Sequence, residues 1–212
     1  MWEKLRVVWQ IPELRSKILL TLGLLGVYRL GFQIPLPIVD PSKVATFQKA
    51  GGMADILKQV AVFSASQLDQ VTIFGLGIMP YISASIIVQL MGMAIPYLQK
   101  LQKDGESGRK TLNQITRWLT IGVCLVQAPF YLGTITQVFL PYEQFRSAYY
   151  IDPQSIAFYV PSVVILVAGS IFAMWLGEKI TDKGIGNGIS ILIMVGILAG
   201  LPTAFLQEFT TQ

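Results

Sequence analysis

The 212-residue chain is 53% hydrophobic and 13% charged, whereas soluble domains carry about a quarter charged residues, so its composition predicts a polytopic membrane protein. It has no histidine, which excludes histidine-based catalysis and histidine metal sites, and its net charge of +4 does not suggest nucleic-acid binding because the basic residues flank hydrophobic runs. The single cysteine, Cys124, lies in an apolar run, cannot form an intrachain disulfide and is expected to be a small buried hydrophobe.

The N-terminal part of the chain is predicted to meet the membrane surface before it crosses the bilayer. Residues 1–17 alternate basic and apolar side chains and include two tryptophans, which is typical of an amphipathic segment at the interface. A solvated basic leader is the alternative. Residues 18–34 form the first predicted span, with Arg29 inside it, placed either to reach the near interface or to anchor a neighbouring helix.

The longest uncharged stretch runs from Val71 to Gln99 and is predicted to be broken near its start. Gly75, Gly77 and Pro80 favour a break there, followed by a spanning helix over 78–98. Broken hydrophobic segments at membrane depth must be buried in protein or line a water-filled cavity. The insert that leads into this stretch, 35–74, shares its first residues and is too polar to cross the bilayer. Its last part is predicted to be either a short re-entrant helix or a surface loop.

The rest of the chain alternates charged connections with apolar runs. The expected order is a basic loop (99–117), the third span (118–141), a polar loop (142–152), the fourth span (153–177), a glycine-rich loop (178–188), the fifth span (189–206) and a tail (207–212). One set of connections carries eleven lysines and arginines and the other carries four, so the positive-inside rule places the N terminus in the cytosol and the insert outside. The expected fold class is an all-α polytopic membrane protein with five transmembrane helices.

Four stretches are more specific than general membrane composition. They are VYRLG (27–31), GIMPYISASIIVQL (77–90), GESGRK (105–110) and WLGEKITDKGIGNGISILI (175–193). Together they closely resemble the SecY family, the central subunits of protein-translocation channels. That family has ten spans in two inverted halves, which form a clamshell around an hourglass pore, and this chain resembles the first half only. The resemblance implies half of a channel that passes unfolded secretory polypeptides and releases membrane segments sideways into lipid.

The resemblance also implies site residues. The pore ring of bulky aliphatic side chains maps onto Ile82, Ile86, Ile189 and Ile193. Such a ring dewets and excludes ions without gripping a sliding polypeptide. The plug, a short helix that blocks the external side at rest, maps onto about 63–74, with Phe63, Ser64, Leu68, Val71, Ile73 and Phe74 as its residues.

Two further surfaces are expected from the same resemblance. The lateral gate would be bordered by Ile87, Leu90 and Met91. A cytosolic partner would contact Lys103, Arg109, Lys110 and Lys183, although these charges could equally serve only to set the orientation. The carboxylates of Glu106, Glu178 and Asp182 lie in basic loops where ion pairing explains them, so no enzyme, cofactor or metal site is expected.

The implied partners are those of a translocation channel in a bacterial inner membrane, with a thylakoid membrane as the alternative. They are a complementary C-terminal half or a second copy, SecE-like and SecG-like small subunits, a SecA motor or the ribosome, unfolded polypeptides and the lipid bilayer, with no direct nucleic-acid contact. Two other functions stay open. One is a small-molecule transporter with inverted repeats, and the other is a scaffold that inserts membrane proteins without forming a pore.

Overall fold

The computed structural model describes residues 11–40, 42–43, 71–139, 143 and 146–211 of the chain. These residues form six α-helices: α1 (Pro12–Gly31), α2 (Met79–Ala94), α3 (Pro96–Lys103), α4 (Gly105–Thr134), α5 (Ile156–Lys183) and α6 (Gly188–Thr211). A π-helical segment, Ile135–Phe139, extends α4, and a short 3₁₀ helix, Arg146–Ala148, precedes α5. The expected all-α fold class is confirmed for the described residues.

Helix α5 is the centre of the bundle, since it packs against α1, α2, α4 and α6. Two groups of buried side chains surround it. The first buried cluster comprises Leu36, Ile38, Val39, Val71, Leu76, Ala128, Tyr131, Leu132, Ile135, Tyr149, Phe158 and Leu166. The second buried cluster comprises Tyr28, Phe32, Phe74, Ile78, Ala173, Leu176, Ile180 and Leu192. Both clusters draw residues from α5 and from the segments that join the helices.

The spanning helix expected over 78–98 is shorter than the sequence indicates. Helix α2 ends at Ala94, and α3 leaves it at an angle of 103°. The cause is Pro96, whose ring disfavours helical geometry in the preceding residue. Ile95 is accordingly extended, with φ −102° and ψ 117°. The uninterrupted hydropathy of this region therefore indicates that its residues share an apolar environment. It does not indicate that they form one continuous helix.

The basic stretch expected as a loop over 99–117 is largely helical, because α3 ends at Lys103 and α4 begins at Gly105. Lysine, arginine and glutamate are good helix formers, so their charge alone does not end a helix. Gly105, with φ +67°, makes the turn between the two helices. Because charged residues do not by themselves end a helix, α1 starts at Pro12, before the first expected span, and α5 continues to Lys183, beyond the fourth. Helix α6 also runs past the expected end of the fifth span, to Thr211.

Two helical stretches in the described residues are long and apolar enough to cross a membrane: Gly105–Gln137 and Ile156–Lys183. The bent pair α2–α3 makes a third if it counts as one broken span, and the part of α6 from Gly188 to Ala199 is also apolar. Helix α1 carries Glu13, Arg15, Lys17 and Arg29 within its length. The five-span topology thus stays a prediction.

Candidate functional site

Helix α2 has one buried face and one open face. Pro80, Ala84, Val88 and Gly92 are four residues apart and buried. Helix α4 is the main neighbour of α2, and at Gly92 this stripe meets the Gln102 side chain of α3. Residues two positions away lie about 200° around the helix from this stripe. The isoleucines at 82 and 86 are therefore directed away from α4.

The two isoleucines of α2 have different surroundings. Ile82 is half-buried and packs against the second buried cluster. Ile86, one turn further on, is 50% exposed. In α6, Ile189 also packs against the second cluster, whereas Ile193 is half-buried outside it. The structure thus brings Ile82 and Ile189 to one cluster and leaves Ile86 and Ile193 beyond it.

The turn between α5 and α6 is held by side chains as well as by its own backbone. Asn187 Oδ1 accepts hydrogen bonds from the N–H groups of Ile189 (3.1 Å) and Ser190 (3.3 Å) and so caps α6. The Ile185 N–H donates to Thr21 Oγ1 of α1 at 3.3 Å. Gly186, with φ +71°, supplies the left-handed residue that this turn requires.

The described end of the expected plug lies inside the bundle, whereas Phe63, Ser64 and Leu68 fall outside the described residues. Val71 and Phe74 are buried, and Ile73 packs against the second cluster. Val71 adopts φ +47°, an uncommon conformation for a β-branched residue. Sequence reasoning grouped these three residues with the polar insert and missed their core positions.

Phe74 wedges between α1 and α5. Its ring centroid lies 5.7 Å from that of Tyr28, 5.5 Å from that of Phe32 and 6.1 Å from that of Phe172. A Cβ at Gly31 would overlap the Phe74 ring, and a Cβ at Gly169 would lie 3.3 Å from it. The absence of side chains at these two glycines therefore creates the slot that Phe74 fills.

We call residues 34–40 the strap, because they join two connections at one end of the bundle: the one before α2 and the one before α5. On one side, the Leu36 N–H donates to the Val71 carbonyl (2.8 Å), and the Ile73 N–H donates to the Ile34 carbonyl (3.1 Å). On the other side, the Asp40 N–H donates to the Ala148 carbonyl at 2.8 Å. The two proline residues of the strap favour the extended backbone that such pairing needs. These prolines are the feature of the sequence that indicates the strap.

The strap ends in a local hydrogen-bonded turn. Asp40 Oδ1 accepts from the hydroxyl of Ser42 (2.6 Å) and from its N–H (3.0 Å). These bonds favour the ionised carboxylate and lower the pKa of Asp40 below its ordinary value. Lys43 Nζ donates to the Ser147 carbonyl at 2.6 Å, which ties the chain to the connection before α5.

The expected gate residues lie on the open side of α2. Ile87, Leu90 and Met91 are all exposed within the described chain. Gln89 Nε2 donates to Ser85 Oγ at 3.3 Å, and this polar pair lies on another face of α2, because Gln89 is about 200° around the helix from Ile87 and Met91. The structure places these residues together on one helix.

The expected partner-contacting residues Lys103, Arg109, Lys110 and Lys183 are all exposed. Lys110 pairs with Glu106 one helical turn away at 3.2 Å. A second pair joins two helices: Arg117 of α4 donates through Nε to Glu178 Oε1 (2.9 Å) and through Nη2 to Oε2 (2.6 Å). Glu178 is on α5, and only 15% of its side chain is exposed. The described residues contain no acidic or cysteine cluster that could hold a metal ion.

Comparisons with known proteins agree with this architecture. A family model described as SecY matches residues 72–212. The chain is 44% identical over 196 residues to protein translocase subunit SecY of Escherichia coli K12, covering 92% of this chain and 42% of that protein. It is 42% identical over 197 residues to the Streptomyces coelicolor subunit of the same name, covering 92% and 45%, and 39% identical over 214 residues to that of Aquifex aeolicus, covering 99% and 48%.

A solved structure described as a protein conducting channel shares the fold, with a TM-score of 0.58 and 24% identity. The match covers 90% of this chain and 40% of that one. The chain thus spans less than half the length of these curated relatives.

Proposed function

Since this chain belongs to the SecY family, we propose that it forms one half of a protein-conducting channel. It would pass unfolded secretory polypeptides across a membrane and release membrane segments sideways into lipid. The observation that carries the proposal is the family match over α2, α5 and α6, the helices that bear the isoleucine pairs and the turn between them. The complementary half would be supplied by further polypeptide or by a second copy.

The proposed pore ring consists of Ile82, Ile86, Ile189 and Ile193. Branched apolar side chains around a narrow opening exclude water, so ions cannot keep their hydration there. The same side chains offer no strong polar contact to a moving polypeptide. The position of Ile82 and Ile86 away from the buried face of α2 supports this role, because the face toward α4 is already occupied.

The proposed plug spans 63–74, and its last residues would be its attachment point. The burial of Val71 and Phe74 supports an anchored end, because a large aromatic side chain in a glycine-lined slot is costly to remove. The lateral gate at Ile87, Leu90 and Met91 is supported by their exposure on one side of α2.

The remaining partners and the orientation belong to the same proposal. The exposed basic residues Lys103, Arg109, Lys110 and Lys183 would face a cytosolic ribosome or SecA motor, and the N terminus would lie on the same, cytosolic side. SecE-like and SecG-like subunits would brace the assembly. The membrane would be a bacterial inner membrane.

A cross-linking scan tests the proposal. Single cysteines replace the four ring isoleucines in a Cys124→Ser background, and a stalled secretory chain is supplied with and without the complementary half. Matched controls are cysteines at Val126 of α4 and Val164 of α5, which are both exposed and lie on helices that carry no ring residue. We expect cross-links at the ring positions and weak ones at the controls. Cross-links at the controls only would instead indicate a scaffold without a pore, and cross-links at neither set would favour a small-molecule transporter.

A further inference from the structure

The first turn of α6 is seated in a notch on α5. A Cβ at Gly177 would overlap the Cδ1 atom of Ile189 and lie 3.3 Å from Cδ1 of Leu192. A Cβ at Gly188 would overlap the Gly177 carbonyl oxygen and lie 2.7 Å from the Cβ of Ile180. A larger residue at Gly188 would therefore push the two helices apart, whereas one at Gly177 would displace the Ile189 side chain or shift α6.

A hydrogen-bonded threonine fastens the same contact. Thr181 Oγ1 donates to the Gly177 carbonyl at 2.9 Å and accepts from the Gly188 N–H at 2.9 Å. One hydroxyl thus connects the backbone of α5 to the first N–H of α6. With Asn187 capping the next two N–H groups, the rotation of α6 about its axis is determined at its first turn.

This seat acts on a residue of the proposed pore ring. The side chain that fills the notch is Ile189 itself, and Ile193 follows it one turn later on nearly the same face. A rotation of α6 by one residue would turn both side chains by about 100°. We infer that Gly177 and Thr181 are positioning residues for Ile189 and Ile193. The effect of this positioning on a pore rests on the proposed channel function. The positioning of Ile189 and Ile193 itself does not.

The test measures the position of α6 at a residue that does not touch the notch. A cysteine replaces Ile193 in a Cys124→Ser background, in membranes that contain this chain and the complementary half. Its rate of reaction is measured with a charged maleimide and with a lipid-soluble one. The variants are Gly177→Ala, Ile189→Val, the two together, and Gly122→Ala. Gly122 is the matched control, because a Cβ there would meet open space.

We expect Gly177→Ala to change the labelling rate by about fivefold, because the added Cβ must displace Ile189 or shift α6. Ile189→Val removes the Cδ1 atom that occupies the notch, so it should restore the rate in the Gly177→Ala background. Gly122→Ala should label like the parent. Equal rates for Gly177→Ala and Gly122→Ala, or a failure of Ile189→Val to restore the rate, would overturn the inference.

A second pair of variants covers the case in which Gly177→Ala does not insert stably. Thr181→Val removes the hydroxyl at nearly constant volume, whereas Thr181→Ser keeps it. We expect only Thr181→Val to change the labelling rate, again by about fivefold; equal rates for the two would refute the positioning role.

The choice of reagents separates this inference from the proposed function. If the cysteine at 193 reacts only with the lipid-soluble maleimide, the pore position is wrong. The dependence on Gly177 and Thr181, measured with that reagent, still decides whether the seat positions α6.

Discussion

The two ends of α5 hold their neighbours by different chemistry. Toward the strap end, backbone hydrogen bonds join the strap to its neighbouring connections, and near the middle of α5 the Phe74 ring fills a slot between two glycines. At the turn end, Ile189 fills a notch on α5, and polar side chains add hydrogen bonds: Thr181, Asn187 and the Arg117–Glu178 pair. Apolar burial scales with area and tolerates small shifts, whereas hydrogen bonds depend steeply on distance and angle. Both regions bury apolar side chains, and we conclude that the side-chain hydrogen bonds found at the turn end add precise position there.

The largest expected effect comes from removing the Phe74 wedge, which holds the strap end of α1 against the middle of α5. Phe74→Ala should lower the free energy of unfolding by about 3–5 kcal/mol, because it leaves a cavity between α1 and α5. Phe130→Ala is the control, since Phe130 is 75% exposed and should change stability by no more than about 0.5 kcal/mol. Denaturant unfolding in detergent measures both. Similar losses for the two variants would mean that Phe74 does not anchor this end.

The slot that holds Phe74 can also be filled by adding a side chain on α5. A Cβ at Gly169 would overlap the carbonyl oxygen of Ile73, a backbone atom that cannot swing aside. Gly169→Ala should therefore cost about 1–3 kcal/mol through overpacking. Gly133→Ala on α4, where a Cβ meets nothing, should instead be neutral or stabilise by up to about 1 kcal/mol. Thermal unfolding in detergent distinguishes the two, and a neutral Gly169→Ala would show that the slot is loose.

The ion pair at the turn end should matter more than the surface pair on α4. Glu178→Gln weakens a bidentate contact to Arg117 from a mostly buried side chain and should cost about 2 kcal/mol. Glu106→Gln removes an exposed pair with Lys110 and should cost less than about 0.5 kcal/mol. Unfolding of both variants at low and high salt provides the measurement. If the Glu178→Gln loss vanished in high salt, that pair would be an ordinary surface contact.

The smallest effect is the pH response of the strap. Hydrogen bonds from Ser42 lower the pKa of Asp40 below 3.8, so the stability they add is present above that pH and is lost as pH falls through the folded-state pKa. Asp40→Asn should flatten the dependence of the unfolding temperature on pH below about pH 4, the ordinary range of an aspartate pKa. Ser42→Ala should flatten it partly, because the backbone donor remains. Identical profiles for Asp40→Asn and the parent would remove Asp40 from this role.

Fold class and the interrupted start of the second span could be predicted from local sequence. Charge depletion indicates the lipid environment, and glycine and proline at 75, 77 and 80 mark the break. The bend at Pro96 carried an equally local signal, but the uncharged stretch around it favoured a continuous helix. The hydropathy of a segment depends on the solvent around it as a whole, whereas the backbone conformation depends on each individual residue.

The site could be predicted only in part, because its decisive contacts join distant positions. The isoleucines were assigned by resemblance, and their direction follows from the buried stripe of α2, which requires knowing that α4 packs there. Phe74 was grouped with the polar insert because its partners Gly31 and Gly169 are remote in the chain. The glycine at 188 was read as a turn residue, whereas its close approach to Gly177 depends on the fold.

The strap also has a consequence for how such a chain can change over evolution. Just beyond the strap, Lys43 is tied to Ser147, and Val71 is tied to Leu36 of the strap. Both points are therefore held to the bundle, whatever the number of residues between them. The entropy of loop closure rises by only about 0.6 kcal/mol for each doubling in length. A change in the number of residues between these two points is therefore expected to cost the helical bundle little, even where it alters the proposed plug.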